Sequence, residues 1–208
     1  MWPVRRKKRP RLGELPPDQQ DRLNRLLSDE VLPKADDLQE QAELAAQAVE
    51  RAWQQAPNEI AWPLMLCWYC LLLERYEAAL RAAERSAAAA PSDPRPVYAL
   101  ATVYHTLGRV REGELSPYEH HVLREAGQQW RAAMPGVPGP IAPGTATEAM
   151  IQAADKLGLS LYQIRSRAVW YFEQTLNLGV HAADRRQVEQ DLAAARTGLA
   201  RTPKEDEP

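Results

Sequence analysis

Residues 60–93 read IAWPLMLCWYCLLLERYEAALRAAERSAAAAPSD, and their reading decides the fold. Two helix-length runs, 61–74 and 76–90, meet at the polar pair Glu74-Arg75. Pro91 stops the second run, because its ring fixes φ and it has no N–H to donate. The same punctuation returns along the chain. Pro57 precedes Pro91 by 34 residues, Ala45 precedes Ala79, and Val49 precedes Ala83. The segment PRPVYALATVYHTLGR opens at Pro94. It places Val97, Leu100, Ala101, Tyr104 and Gly108 in register with Pro63, Leu66, Cys67, Cys70 and Glu74.

A 34-residue unit of two helices resembles the tetratricopeptide repeat family, best over residues 42–109. The resemblance implies an all-α, tetratricopeptide-like helical-hairpin solenoid, short and with an irregular C-terminal half. Relatives of that kind bind peptide segments or helices of partner proteins. The expectation is therefore a non-catalytic adaptor or scaffold with a protein or peptide partner and no cofactor.

Length and composition agree with one helical domain between two tails. The chain has 208 residues, 45% of them hydrophobic, and a net charge of −2. That balance argues against bulk nucleic-acid binding. Residues 1–16 form a basic, proline-containing tail with Arg5, Arg6, Lys7, Lys8, Arg9 and Arg11. Such a cluster touches nucleic acid or anionic lipid in some proteins, but the simpler reading is a solvated terminus. Residues 17–201 form the helical domain, with core repeats at 34–109, a Pro/Gly-rich loop at 134–147 and further helices at 148–201. Residues 202–208 are an acidic tail. No secretory leader is visible, and the longest apolar run, 62–73, is about half a membrane span. A cytoplasmic protein is the simplest expectation.

Helix signals fill in the remainder. Leu23, Leu26, Leu27 and Val31 line a short helix that ends near Pro33. A second helix follows over 34–56, with Leu38, Ala42, Ala45, Val49, Ala52 and Trp53 on its apolar side. Ser116 and Pro117 open a helix to 133. Ser160 and Gln163 form a capping box for a helix over 161–178. Asp184 caps a last helix to 200, striped by Val188, Leu192, Ala195 and Leu199.

The helix over 61–74 is apolar almost all round. Leu64, Trp68, Leu71 and Leu72 fall where the repeat family places its ligand-contacting residues. They are too hydrophobic for a wet groove. Internal cover by residues 17–32 or 116–133 is the expectation, with a partner's helix as the alternative. A dicarboxylate clamp is not expected in this groove, because leucine and tryptophan stand where lysine, asparagine and arginine are needed. The more polar face of the next unit offers Tyr98, Thr102, His105 and Thr106 as partner contacts.

Two other chemistries compete. EAMIQAADKLGLSLYQIRSRAVWYF, residues 148–172, resembles a DNA-binding helix-turn-helix. In that reading Gly158 makes the turn and Ala154 allows a close helix crossing. Gln163, Arg165 and Arg167 would then face DNA. The alternative function is thus a DNA-binding regulator. Cys67 and Cys70 form a C-x-x-C, and a thiol oxidoreductase is a third reading. A redox pair needs an exposed thiolate near a helix N-terminus, whereas these two lie inside an apolar helix. Zinc would need two more ligands, and the neighbours His120 and His121 point apart on a helix. No metal site is expected.

Overall fold

The computed structural model describes residues 11–35, 38–114 and 148–203. Among these the structure is all-helical, with no strand. The eight α-helices are α1 Pro17–Leu26, α2 Leu38–Gln55, α3 Ala61–Leu72, α4 Tyr76–Ala89, α5 Pro94–Arg111, α6 Glu148–Asp155, α7 Leu161–Leu178 and α8 Ala182–Arg201. A π-helical turn, Leu27–Val31, and a 3-10 turn, Leu32–Lys34, prolong α1 to the expected stop near Pro33. The helix expected over 116–133, the loop over 134–147 and most of both tails lie outside the described residues.

Each helix from α2 to α5 packs on the next, and α3 also touches α5. Small residues let them approach. Ala45 and Ala79, 34 apart, are both fully buried, and so are Cys67 and Ala101. The expected stripe of α2 is inside, with Ala42, Ala45, Val49 and Ala52 all buried.

The C-terminal ends of α3 and α5 close alike. Arg75 N donates to Cys70 O (2.8 Å) and Glu74 N to Leu71 O (3.1 Å). Glu114 N donates to Arg109 O (2.9 Å) and Gly113 N to Val110 O (2.9 Å). These are Schellman closures, which need a left-handed residue just past the helix. Gly113 has φ +79°, and Glu74 has φ +58°. The sequence register pairs Gly108 with Glu74, but α5 runs on to Arg111 and turns at Gly113. Its extra length is what breaks the 34-residue pattern.

α5 is the most enclosed helix, flanked by α4 and α3 and packed extensively on α7. Asp93 caps it, its carboxylate accepting from Arg95 N at 3.0 Å. The Ser160–Gln163 capping box starts α7 as expected. The start of α8 differs from expectation. His181 is its cap, with Nδ1 accepting from Ala183 N at 3.2 Å. Asp184 is engaged elsewhere: its carboxylate accepts from Arg11 (3.1 Å) and from Leu12 N (3.0 Å).

Those bonds belong to an N-terminal strap. Arg11 and Leu12 hold the start of α8. Two residues on, Glu14 O accepts from the Arg95 guanidinium at 2.8 Å, at the start of α5. In α1, Arg22 pairs with Glu59 at 2.6 Å and lies over the Trp62 ring, at the start of α3. One short segment thus crosses the beginnings of three helices.

Candidate functional site

The face of α5 that the sequence offers to a partner is covered from within. Tyr98, Thr102 and Thr106 are buried. Tyr98 Oη donates to Asp191 of α8 at 2.9 Å, and its ring meets Phe172 of α7 at 6.0 Å between centroids. Thr102 donates to Tyr98 O at 2.9 Å. The reason is physical: α7 and α8 carry an apolar ridge of Ile164, Ala168, Phe172, Val188, Leu192 and Ala195, and α5 and α7 bury it between them and α8. Of the residues on α3, Leu64 is 2% exposed, while Trp68 and Leu72 are part-buried. The 17–32 segment reaches α3 through Arg22 on Trp62, and the other proposed cover, 116–133, lies outside the described residues.

His105 alone of that polar set opens onto space. It borders a cavity of about 230 Å³ between the ends of α5 and α8 and the first half of α7. Small residues line much of it: Gly108, Ala168, Ala194, Ala195 and Gly198. The walls are charged. Arg165, nearly buried, pairs with Glu112 and donates to Gly198 O (2.9 Å) and to the Thr202 hydroxyl. Arg109 pairs with Glu114 at 2.6 Å, yet its buried Nε has no acceptor. Arg201 lines the cavity too and is exposed. The His105 ring stands edge-on to Phe172 at 6.0 Å. Burial, followed by the positive charges of Arg109 and Arg165, lowers its pKa from 6.5 to about 4. It is neutral at physiological pH.

Glycine makes this arrangement possible. A Cβ on Gly108 would stand 3.3 Å from Arg165 Cγ, and one on Gly198 would stand 3.2 Å from Arg165 Nε. Arg109, Arg201, Glu112 and Gly198 are spaced irregularly in the sequence, and no motif there links them.

The segment that resembles a helix-turn-helix packs on α4 and α5. Gly158 does make the turn, at φ +64°. α6, however, lies against α5 and α4, and Arg111 ties the turn to α5 through Asp155 (2.7 Å) and Leu159 O. Arg165 is inside the fold, as described. Arg167 lies over the Tyr104 ring and donates to its hydroxyl at 3.0 Å. Gln163 completes the capping box through its side chain.

Cys67 and Cys70 are buried on α3. Burial raises the Cys67 thiol well above its ordinary range. It pushes Cys70 up to about 11, partly offset by Arg75. Both favour the thiol form. On the surface, Trp170 is 52% exposed, and its ring stands edge-on to Tyr171 at 4.7 Å. Tyr171 in turn stacks on Tyr104 at 5.7 Å. Reading α7 as part of a repeat counts Trp170 as one more helix aromatic, so its exposure is invisible before the packing is known.

No family model, no curated protein and no solved structure matches this chain. Among the described residues, no helix is long and apolar enough to cross a membrane.

Proposed function

We propose that this chain is a non-catalytic interaction module built from tetratricopeptide-like hairpins, acting in the cytoplasm on a protein or peptide partner. The observation that carries the reading is two pairs of fully buried small residues at the same 34-residue interval on alternate helices, Ala45 of α2 with Ala79 of α4 and Cys67 of α3 with Ala101 of α5. Repeated close crossings of that kind are how a helical-hairpin stack is built. The polar face of α5 is covered by the chain's own α7 and α8, so in this reading the partner meets an outer face. Trp170 is the best anchor there: a large, exposed aromatic on a rigid helix, of the type enriched at interface hot spots. Cys67, Cys70, Arg165 and Arg167 serve the fold in this reading.

A photo-reactive phenylalanine derivative placed at position 170 in the native host tests it. A discrete cross-linked protein from position 170, absent from the exposed α8 position Glu189, supports the proposal. Trp170→Ala should then lose co-purification with a melting temperature lowered by at most about 4 °C. Absence of any product at position 170, together with DNA binding that falls steeply with salt, would replace it by the DNA-binding reading.

A further inference from the structure

We infer that the cavity between α5, α7 and α8 is a binding site for a small monocarboxylate with a short aliphatic tail, held by Arg109, Arg201 and His105. This inference is independent of the adaptor reading, because it concerns a different surface.

Charge sets the chemistry. Three arginines and two glutamates line the cavity, with a neutral histidine. Glu112 is taken up by Arg165 and Glu114 by Arg109. That leaves Arg201 as the one guanidinium of the lining with no ion pair among the described residues. One positive charge matches one carboxylate, whereas a phosphate at neutral pH brings nearly two negative charges. The negative end of α8 does not oppose this, since Arg165 already satisfies Gly198 O in its last turn.

Hydrogen bonding agrees with charge. The buried Arg109 Nε–H has no acceptor, and leaving such a donor unmet is costly, more so on a charged group. No hydrogen bond among the described residues holds either ring nitrogen of His105. A neutral imidazole offers one N–H donor. The lining thus holds an unmet arginine N–H, an imidazole N–H and the guanidinium of Arg201.

Size and lining set the tail. At about 30 Å³ per water in the liquid, 230 Å³ has room for a molecule of a few carbons. The methyl groups of Ala168, Ala194 and Ala195 form its apolar side. A short aliphatic chain suits them better than a polyhydroxylated one.

Calorimetry on the full-length protein at constant ionic strength tests this, with butanoate as the probe. Butanamide is the neutral comparison, inorganic phosphate the competing anion, and trialanine with a free or amidated C-terminus the chain-end comparison. Saturable binding of butanoate but not butanamide is expected. Arg109→Gln and Arg201→Gln should each weaken it roughly 10- to 100-fold, the effect of one charged hydrogen bond. Unchanged helicity by circular dichroism confirms that both variants fold. Ala194→Leu, at an exposed position on the rim, should block entry. Stronger binding of free-ended trialanine than of butanoate keeps the carboxylate site and makes a peptide end its source. Equal binding of the amide, tighter binding of phosphate, no saturation, or indifference to both arginine variants would each overturn the inference.

Discussion

The Tyr98 hydroxyl donates a 2.9 Å hydrogen bond to Asp191, 93 residues further along the chain. It joins α5 to α8, the last of the described helices. A hydrogen bond to a charged acceptor is worth about 1.5–3 kcal/mol. Because Tyr98 keeps its ring contact with Phe172, Tyr98→Phe should cost about 1–2 kcal/mol in urea denaturation. An unchanged midpoint would mean that α8 contributes little to holding α5.

Two side chains two residues apart on α7 should behave in opposite ways. Phe172 is buried between α5 and α8, and Phe172→Ala should destabilise by about 3–5 kcal/mol. Trp170 is half exposed, and Trp170→Ala should cost under about 1 kcal/mol. Similar losses for both would show that Trp170 is part of the core, and it would then be unsuited to anchor a partner.

The matched hairpin closures give a test of backbone strain. Glu74 holds φ +58°, which costs an L-residue about 1–2 kcal/mol. Glu74→Gly should stabilise by about 0.5–1 kcal/mol after the greater entropy of the unfolded glycine is counted. Gly113→Ala should do the reverse, although a Cβ there meets nothing within 4 Å. Thermal unfolding of the two variants measures both.

His105 makes stability depend on acid. Its folded pKa, about 4, lies below the ordinary 6.5. As pH falls through 6.5 the unfolded chain takes up a proton that the folded chain refuses until about pH 4. This contribution is therefore whole above pH 6.5 and declines on acidification, by of order 3 kcal/mol at most. The charged groups that line the cavity with it are Arg109 on α5, Glu112 and Glu114 just past it, Arg165 on α7 and Arg201 on α8. His105→Gln should flatten the loss between pH 7 and pH 5, read from urea midpoints.

The thiols predict the opposite slope at the alkaline end. Cys70 is pushed up to about 11 and Cys67 well above its ordinary range, against a usual 9.0. Above pH 9 the unfolded chain loses thiol protons that the folded chain keeps, so stability falls as pH rises. In the native protein a disulfide-exchange reagent should label neither cysteine faster than the chain opens. Rapid labelling at neutral pH would revive the redox reading.

Local signals carried most of the helix assignments. Prolines at 57, 91 and 94, the Ser160–Gln163 box and the alanine stripe of α2 each act within one or two turns, and the structure places helices where they point. Two departures have long-range causes. The polar face at Tyr98, Thr102 and Thr106 looks open because its cover, Phe172 and Asp191, arrives about 70 to 90 residues later. Arg165 looks like a solvent-facing side chain because its room inside is made by Gly108 and Gly198, one on each of two other helices. Asp184 has the chemistry of a cap, but the helix begins two residues earlier and leaves its carboxylate to the strap.

That strap alters how the stack comes apart. A simple linear array frays from its ends, since a terminal unit has only one neighbour. Here the segment around Arg11 to Arg22 ties the starts of α3, α5 and α8 together, so the last helix cannot lift away without releasing the first residues of the described chain. Opening either end disturbs the other. Amide hydrogens in α8 should therefore exchange by the same global opening as those in α5, making a molecule that reads as a row of repeats behave as one cooperative unit.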